Sequence, residues 1–548
     1  MISGIIVSKG IALGKALLIN LYKKNIKKEK ISKKKIKLEI KKFLKSIKKS
    51  VNQIKKIKKY TEKKIGKDKS EIFEGHIMIL QDDELSKDII NYINKKYTAE
   101  ISTKKVIKKQ IKKMRKIKNK YLKNRIIDIK DIGKRIIDNI LNVNIKKLSK
   151  IDKKVILICK DLTPSETSEI NKKNILGFIT ELGGETSHTS IIAKSLGIPA
   201  IVGVKNITKQ VKNKDFIILD SINNEIYINP NKEIITLKKK IKKNFFKNKQ
   251  KLEIFKNLKA ITLDGKKIKI GANINKIDDI CLAKKNGAQS IGLYRTEFLY
   301  MGKNRLPTEE EQFIVYKKII EKMKNKEVIM RTLDIGGDKS CKYLNLPKEE
   351  NPFLGYRAIR IYSKKINIIR TQLRAMLRAS NFGKLKIMFP MIISLEEIYF
   401  LKKELKRAKK KLKEENISFN KNIKIGIMIE TPAAALISDS LSKEVDFFSI
   451  GSNDLTQYTL AVDRGNDLVS HLYDPMHPSV MKLIKMVVKS SHKNGKWTGI
   501  CGELASNPLA TKFLIKIGID EFSINSPEIP NIKKIIRKSY FKKKNKTF

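Results

Sequence analysis

Apolar runs of a strand's length recur through the second half of the chain, with helical patterns between them. The runs lie at Ile268–Ala272, Ser290–Leu293, Val328–Met330, Leu385–Phe389, Ile425–Ile429, Phe447–Ile450, Trp497–Ile500 and Glu521–Ile524. Strands that alternate with helices are typical of parallel sheets whose faces are covered by helices. Eight such units in succession predict a (β/α)8 barrel over residues 259–548.

The segment 23–144 has a different pattern, in which apolar residues recur at helical spacing between lysines. One stripe consists of Ile36, Ile40, Phe43, Ile47, Val51, Ile54 and Ile57. Residues at this spacing lie on one face of a helix and would pack against a common core. Several such segments in succession predict a helical bundle over 23–144.

Strand-like runs flank this bundle on both sides. Apolar runs punctuated by glycines occupy the first 20 residues, and further runs lie at Val155–Ile158, Ile175–Thr180, Phe216–Leu219 and Glu225–Ile228. We therefore predict an α/β domain formed by residues 1–22 and 145–230, into which the bundle is inserted. The lysine-rich helical segment 231–258 is predicted to link it to the barrel. The fold class is α/β and multidomain.

Length and composition narrow the class of protein. A chain of 548 residues corresponds to about three or four domains. No apolar run reaches the roughly 18 residues that span a bilayer, and no basic leader precedes the first apolar residues. The cysteines, Cys159, Cys281, Cys341 and Cys501, form no Cys-x-x-Cys pair, which argues against a disulfide framework or a thiol-rich zinc site. We expect a cytoplasmic protein.

The net charge of +65 is the most unusual property of the composition. Basicity on this scale ordinarily indicates a nucleic-acid partner. Here the lysines are spread through nearly every predicted helix beside many Ile and Asn residues, and all three residue types have A/T-rich codons. We therefore attribute the charge to genome composition and predict no nucleic-acid partner. A contiguous basic groove with stacking aromatics would favour the alternative.

The stretch Gly183–Ser190 combines two glycines, several hydroxyl side chains and His188. It follows the predicted strand Ile175–Thr180 and precedes an apolar helical run that Gly197 and Pro199 close. The start of a helix stabilises a phosphate through unpaired N–H groups and the helix dipole. A neutral imidazole is a competent nucleophile near pH 7. His188 is therefore a candidate phosphoryl carrier; the alternative is a helix cap that happens to contain a histidine.

Polar residues follow five of the predicted barrel strands at the point where each strand ends. They are Arg295-Thr296-Glu297, Arg331 to Lys339, Glu430-Thr431-Pro432, Gly451-Ser452-Asn453-Asp454 and Cys501-Gly502-Glu503. The carboxyl ends of barrel strands meet at one face, where active sites of this fold lie. The sequence therefore predicts the active site at this face.

The charged residues at these ends suggest two kinds of ligand. Arg295, Arg331 and Arg464 can converge on a small polyanion, since guanidinium groups bind carboxylate and phosphate oxygens bidentately. The alternative is that they are surface charges. Glu430 and Asp454 follow adjacent strands, and two carboxylates with substrate oxygens and waters commonly hold Mg²⁺. For these two residues, the alternative is a pair of helix-capping acids.

Cys501 closes the seventh predicted strand. A thiol with an ordinary pKa of about 8.5 stays mostly protonated at neutral pH and can act as a general acid. A free cysteine is more often an inert core residue, so its position at the barrel mouth is what favours the catalytic interpretation.

The stretch Glu71–Glu84 is acidic and apolar in an otherwise basic part of the chain. It can be a solvated helix end above core residues. The functional alternative is a surface that docks a basic partner.

Four motifs together identify a family. They are Leu162–Thr167, the His188 segment, Gly292–Phe298 and Gly451–Thr459. With these motifs the chain resembles enzyme I of the bacterial sugar phosphotransferase system, a family of phosphoenolpyruvate–protein phosphotransferases. The resemblance extends over essentially the whole chain.

The resemblance implies that phosphoenolpyruvate phosphorylates His188 and that His188 passes the group to the carrier protein HPr, with release of pyruvate. It implies that Glu430 and Asp454 bind Mg²⁺ and that Cys501 protonates the enolpyruvate carbon. The helical bundle would dock HPr, whose docking face is basic, and the barrel would form a homodimer. The residues that would hold phosphoenolpyruvate are Arg295, Arg331, Asn453 and Arg464.

Two features depart from the family pattern. Glu185 stands where relatives usually have Arg, and its charge should disfavour a phosphohistidine nearby. Relatives also usually continue for another helix beyond Phe548. The nearest rival class, the pyruvate,phosphate dikinases and phosphoenolpyruvate synthases, needs an ATP-binding domain, for which no stretch has the length or a glycine-rich loop. A nucleic-acid-binding or purely regulatory protein is the rival of a different class.

Overall fold

The computed structural model describes residues 2–19, 30–65, 72–115, 120–142, 151–162, 174–183, 190, 193, 197–301, 303–337, 339, 341–347, 349–466 and 468–542. The chain divides into two compact units, Met1–Lys247 and Asn248–Phe548. Each unit is described by itself.

The first unit contains a seven-stranded sheet and a helical bundle. Its elements are β1 (Ile5–Ser8), β2 (Ile11–Ile19), α1 (Ile36–Ile65), α2 (Ile72–Leu80), α3 (Asp83–Asn94), α4 (Ala99–Arg115), α5 (Lys120–Ile140), β3 (Val155–Cys159), β4 (Ile175–Thr180), β5 (Ala200–Val202), α6 (Ile207–Gln210), β6 (Phe216–Asp220) and β7 (Glu225–Ile228), followed by the start of α7 (Lys232–Asn257). The strand order in the sheet is β1-β5-β4-β3-β2-β6-β7. The bundle enters between β2 and β3, as the sequence predicts.

One strand of this sheet was not predicted. β5 pairs parallel with β4 and antiparallel with β1, and all three of its residues are buried. It is too short to produce a recognisable apolar run, and it lies directly after the predicted helical run closed by Gly197 and Pro199. Its strand character comes from the two neighbours that supply its hydrogen bonds.

The bundle buries the apolar stripe that its lysine-separated pattern predicts. Phe43, Val51, Ile54 and Ile57 of α1 are buried, and Ile36, Ile40 and Ile47 pack partly buried against the same core. Phe73, Leu80, Ile89, Ile93, Val106, Ile132 and Ile136 complete that core from the other helices. The lysines between these positions face solvent, so the high charge does not oppose burial of the stripe.

The segment predicted as a linker is one helix, α7, and the boundary between the two units falls inside it. Lys238 near its start is buried and pairs with Asp220 at 2.5 Å. Lys533 of the second unit donates to the carbonyls of Lys256 at 2.8 Å and Gly287 at 2.6 Å. Each end of the helix is therefore tied to its own unit.

The second unit is a closed barrel of eight parallel strands, β8 to β15, in which β15 pairs with β8. The elements are β8 (Lys269–Ile274), α8 (Asp279–Lys285), β9 (Ser290–Arg295), α9 (Glu297–Tyr300), α10 (Glu309–Met323), β10 (Val328–Arg331), α11 (Ile359–Lys364), α12 (Ile366–Ala379), β11 (Leu385–Phe389), α13 (Leu395–Glu414), β12 (Lys424–Ile429), α14 (Pro432–Leu436), α15 (Ser438–Glu444), β13 (Phe447–Gly451), α16 (Ser452–Leu460), α17 (Pro478–Lys493), β14 (Trp497–Cys501), α18 (Pro508–Ile517), β15 (Glu521–Asn525) and α19 (Ile529–Ile536). The predicted barrel is confirmed.

All eight predicted strands form, and most extend one or two residues beyond the predicted carboxyl end. Arg295, Arg331 and Cys501 are therefore the last residues of strands rather than the first residues of loops. The β9–β10 ladder places Arg331 opposite Arg295, and the β13–β14 ladder places Cys501 opposite Gly451. These registers fix the spacing of the side chains at the barrel mouth.

Local signals set the helix boundaries in the barrel. Thr308 and Glu311 form a capping box at the start of α10. Asn507 caps α18, which begins with Pro508 and ends at Gly518 in the left-handed conformation, with φ of 103°. Thr308 and Asn507 therefore fix where these helices begin, and Gly518 ends α18 shortly before β15.

Within the described part of the chain, no helix is long and apolar enough to cross a membrane.

Candidate active site

Seven of the eight residues predicted for the site lie at the carboxyl end of the barrel, which we call the barrel mouth. Three of them end strands β9, β10 and β14, one follows β12 directly, and the others belong to α16 and the loop after it. They are Arg295, Arg331, Cys501, Glu430, Asn453, Asp454 and Arg464. The eighth, His188, lies outside the described residues together with Glu185, and so does the motif Leu162–Thr167 apart from Leu162.

Arg331 is held by carboxylates although it is buried. Its Nη2 contacts Glu297 Oε1 and lies 3.1 Å from Asp334 Oδ2. Burial alone would lower the pKa of the Arg331 guanidinium, but Glu297 and Asp334 raise it above its ordinary value. Arg331 is therefore a fixed positive charge in a site shielded from water.

A second arginine, Arg357, joins the loops after β10 and β13. It donates to Asp334 from Nε at 2.8 Å and from Nη2 at 3.0 Å, and Nη2 also donates to Asp454 Oδ2 at 2.9 Å. Lys339 Nζ lies 3.0 Å from Asp334 Oδ2. Burial opposes ionisation of Asp334, yet Arg331, Arg357 and Lys339 hold the pKa of its carboxyl well below the usual range. Asp334 is thus the centre of a charged network under the mouth.

Glu430 and Asp454 repel each other. Both are buried, and a Cβ on Gly451 would come within 2.9 Å of Glu430 Oε2, so the glutamate lies against the strand that leads to Asp454. Burial raises the pKa of Glu430 to about 8, and the charges of Asp454 and Asp334 add to the effect. A bound cation would relieve this repulsion.

The donor set fits a hard divalent cation such as Mg²⁺. Asp454 Oδ1 is buried and accepts no hydrogen bond within the described residues, and Glu430 presents a second carboxylate beside it. No group of three or more His, Cys, Asp or Glu side chains placed to hold a metal occurs among the described residues. Mg²⁺ is commonly bound by two carboxylates, with substrate oxygens and water at its other coordination positions.

Several buried polar atoms at the mouth have no hydrogen-bond partner among the residues that the structure describes. The donors are Arg331 Nε and Arg464 Nη1, and the acceptors are Glu297 Oε2 and Asp454 Oδ1. Buried polar groups are almost always paired, so these atoms are positions at which a polar ligand or water would bind. Arginine donors beside carboxylate acceptors suit an anion that binds together with a cation.

Arg295 and Asn453 complete the polar lining. Burial lowers the pKa of the Arg295 guanidinium, and the nearby charge of Arg331 lowers it further. Asn453 Oδ1 accepts from the backbone of Glu503 at 2.8 Å, which fixes the orientation of its amide against the loop after β14. Arg464 Nη2 lies 3.5 Å from Asp454 Oδ1, which joins Arg464 to the two carboxylates.

Cys501 lies inside the barrel between the two arginines and Glu430. Its thiol is 3% exposed and donates to the carbonyl of Ile450 at 3.4 Å. Burial raises the pKa of Cys501 to about 11, although the charges of Arg331 and Arg295 lower it in part. The thiol is therefore protonated at neutral pH and has the form that a proton donor requires.

Three domain descriptions of phosphoenolpyruvate-utilising enzymes match the chain in succession. The N-terminal domain matches residues 3–125, the mobile domain residues 151–224, and the PEP-binding domain residues 249–541. A phosphoenolpyruvate-protein phosphotransferase of Buchnera aphidicola subsp. Schizaphis graminum is 60% identical over 99% of this chain and 95% of its own length. The chain belongs to the enzyme I family of phosphoenolpyruvate–protein phosphotransferases.

Similarity to the enzyme I family extends well beyond that organism. The phosphoenolpyruvate-protein phosphotransferase of Haemophilus influenzae is 50% identical over 99% of this chain and 94% of its own. A solution structure described as Enzyme I (nEIt) is 41% identical, covers 45% of this chain and 99% of its own, and has a TM-score of 0.40. Membership makes the protein a transferase, and the family resemblance stated from the sequence motifs is confirmed.

Sequence reasoning missed part of this enzyme I site. Glu297 and Asp334 lay within the quoted strand-end motifs but received no role, and their position there was the available signal. Arg357 lies in a loop 26 residues beyond the end of β10, where no local pattern distinguishes it from a surface arginine. Only the folded barrel brings it to Asp454.

The acidic and apolar stretch of the helical bundle has two faces. Phe73, Ile77 and Leu80 of α2 are buried in the bundle core. Met78 is 67% exposed, and the acidic side chains from Asp82 to Glu84 are exposed. The core interpretation therefore accounts for the buried face of α2, while Met78 and the acidic start of α3 remain exposed.

Proposed function

We propose that the protein transfers the phosphoryl group of phosphoenolpyruvate to its own His188 and then to the carrier protein HPr, releasing pyruvate. The observation that carries the proposal is the barrel mouth, where two arginines with unpaired donors and a protonated, buried thiol surround one site. A small phosphorylated enol needs these groups: cations for its anionic oxygens and an acid for its carbon.

The arginines would bind the anionic groups of the substrate. Arg295 and Arg331 stand opposite each other in the β9–β10 ladder, so their side chains can hold the carboxylate and phosphoryl oxygens of one small molecule. Arg464 and Asn453 reach the site from the segment after β13. In a site shielded from water these charges act more strongly than at a surface, and phosphoryl transfer depends mainly on such positioning.

Glu430 and Asp454 would hold Mg²⁺ in the same site. When bound, the ion neutralises charge on phosphoryl oxygens. The two carboxylates repel each other when no cation is bound. Together they would form a cation site next to Arg464 and Arg331. Arg357 keeps Asp454 in place through its Nη2 hydrogen bond.

The chemical step would break the bond between phosphorus and the enol oxygen and form a bond between phosphorus and a nitrogen of His188. The enolate that leaves takes the thiol proton of Cys501 at its methylene carbon and becomes pyruvate. Cys501 then recovers a proton from solvent. His188 is proposed from its motif, which places it at a helix start beside hydroxyl side chains, and its domain would swing to reach HPr.

HPr would dock on the exposed surface formed by α2 and the start of α3. A basic partner matches the acidic residues Asp82, Asp83 and Glu84, and Met78 offers an apolar contact beside them. Charge complementarity of this kind gives fast and selective association.

The protein would act in the cytoplasm as a homodimer joined through the barrel. Cys281, Cys341 and Cys501 are free thiols, which suits a reducing compartment. Leu468 and Leu509, in segments that follow β13 and β14, are 83% and 81% exposed. Burial of such side chains against a second copy would favour a dimer. In analytical ultracentrifugation we expect the wild type to sediment as a dimer. The L509K dimer should be weaker and dissociate at a higher protein concentration than the wild type. A wild type that stays monomeric at high concentration would refute the dimer.

The test of the function is a transfer assay with ³²P-labelled phosphoenolpyruvate, Mg²⁺ and HPr. We expect label on HPr with the wild type, none with H188A, and normal labelling with H492A, which removes a histidine that pairs with Asp520 just before β15. Unlabelled HPr with the wild type, or labelling by H188A, would overturn the proposal. Turnover that requires ATP would indicate a dikinase or synthase.

A further inference from the structure

The two strands that carry Arg295 and Arg331 lose their mutual ladder just beyond these residues. The register Arg331 to Arg295 is the last pair of the β9–β10 ladder. Past it the chain continues into α9, which begins at Glu297, and into the loop that carries Asp334. The Thr296 hydroxyl donates to the carbonyl of Arg331 at 2.9 Å, and Glu297 Oε1 accepts from Arg331 Nη2 and from Lys339 Nζ, the latter at 3.5 Å. The bonds to Glu297 join two side chains, whereas the Thr296 bond holds the backbone at the end of β10.

The amide of Gln372 adds a further connection, which reaches the backbone after β10. Gln372 lies on α12 and is 0% exposed. Its Oε1 accepts from the backbone N–H of Leu333 at 2.8 Å, and its Nε2 donates to Thr296 Oγ1 at 3.2 Å. One side chain thus holds the residue after Arg295 and the second residue after Arg331. The remaining proton of Nε2 goes to the hydroxyl of Tyr316 at 3.1 Å.

Each hydrogen-bond donor around this amide has one acceptor. Thr296 accepts from Gln372 and can therefore donate onward to Arg331, and Tyr316 accepts from Gln372 and donates onward to Gln312 Oε1 at 3.1 Å. Tyr300 donates to the same oxygen at 2.9 Å. A fully satisfied buried network has one arrangement and resists distortion, whereas a partly broken one leaves buried groups unpaired.

We propose that Gln372 is a positioning residue for phosphoenolpyruvate: it fixes the spacing of Arg295 and Arg331 and thereby sets the affinity of the barrel mouth for this substrate. The proposal rests on the proposed function, because it assumes that these arginines hold phosphoenolpyruvate. Gln372 itself touches neither arginine side chain in any contact described above. It acts through the Thr296 hydroxyl and the Leu333 backbone N–H, which follow the two arginines in the chain.

A purely structural role is the alternative, and the chain offers a matched control. Gln312 is also a buried amide, at 1% exposed, and also makes three hydrogen bonds: it accepts from Tyr300 and Tyr316 and donates to the carbonyl of Pro307 at 3.1 Å. Its bonds reach Tyr300 and Pro307 in the segment after β9, but they do not reach Thr296 or the loop after β10. Loss of either amide should destabilise the barrel, but only loss of Gln372 should change substrate affinity.

The experiment compares Q372M, Q312M and T296V with the full-length wild type. Thr296→Val keeps the side-chain shape and removes the hydroxyl between Gln372 and Arg331, so it tests the same bridge if Q372M does not fold. KM for phosphoenolpyruvate, KM for HPr and kcat are measured in the transfer assay. Substrate binding is measured by calorimetry in a His188→Ala background, in which transfer cannot occur.

We expect Q372M and T296V to raise KM and Kd for phosphoenolpyruvate about tenfold or more, with KM for HPr unchanged, because a small misplacement of binding groups has large effects. Q312M should lower the urea midpoint to a similar extent and leave both constants near the wild-type values. An unchanged Kd for phosphoenolpyruvate in Q372M and T296V, or an equal rise in Q312M, would overturn this inference and leave the proposed function standing. A wild type that neither binds phosphoenolpyruvate nor takes label from it would overturn the inference and the proposed function together.

Discussion

Arg357 Nη2 donates to Asp454 Oδ2 over 2.9 Å and so joins the loop after β10 to the first turn of α16. The same guanidinium holds Asp334 with two hydrogen bonds, and Asp334 in turn lies 3.1 Å from Arg331. The proposed cation-binding and anion-binding halves of the mouth therefore share one charged network. A change in one half should be felt in the other.

Replacement of Arg357 by Met should destabilise the barrel. It leaves the carboxylate of Asp334, which is 0% exposed, without its two hydrogen bonds from Arg357. Breaking a buried ion pair by removing one partner costs about 3–5 kcal/mol. Urea unfolding of R357M should show this loss, whereas R305M, which removes an exposed arginine paired with Glu311, should lose much less. Equal stability of R357M and the wild type would contradict the network.

Alkylation should distinguish Cys501 from the exposed Cys281. The thiolate is the reactive form, and burial raises the pKa of Cys501 to about 11, so the thiol stays protonated at pH 8 and ionises only as the pH rises toward that value. Mass spectrometry after iodoacetamide treatment should show Cys281 modified first at pH 8. The rate at Cys501 should rise steadily with pH up to about 11. Fast modification of Cys501 at pH 8 would rule out a thiol that stays protonated there.

Mg²⁺ should stabilise the folded protein through Glu430 and Asp454. A ligand that binds only the native state raises its unfolding midpoint by mass action. We expect Mg²⁺ to raise the thermal midpoint of the wild type and of E444Q, which alters a carboxylate paired with Lys402. It should have little effect on E430Q or D454N, and a chelator should reverse the shift. A metal response that survives both substitutions would place the cation elsewhere.

The barrel could be predicted from the sequence because each strand is a short apolar run with a polar boundary. The errors lie at the carboxyl ends, where Arg295, Arg331 and Cys501 continue the strands by one or two residues. A polar side chain at the end of a strand can still join the ladder, because the ladder uses the backbone. Strand β5 was missed since three residues make no detectable run.

The site could be predicted only where function coincides with a strand end. Arg357 and Gln372 make their contacts through the fold: Arg357 reaches Asp454 across 97 residues, and Gln372 reaches Thr296 across 76. No local spacing encodes such contacts. The roles of the predicted site residues stay predictions, and His188 rests on its motif because residues 184–189 lie outside the described part of the chain.

The central claim is that His188 carries the phosphoryl group. The most direct test is to incubate the protein with phosphoenolpyruvate and Mg²⁺ without HPr, and to map the modification by intact-mass and peptide mass spectrometry at alkaline pH, where phosphohistidine survives. We predict one phosphoryl group per chain, on His188, with none on H188A. A phosphoryl group on another residue, or an unmodified wild type that has released no pyruvate, would contradict the account.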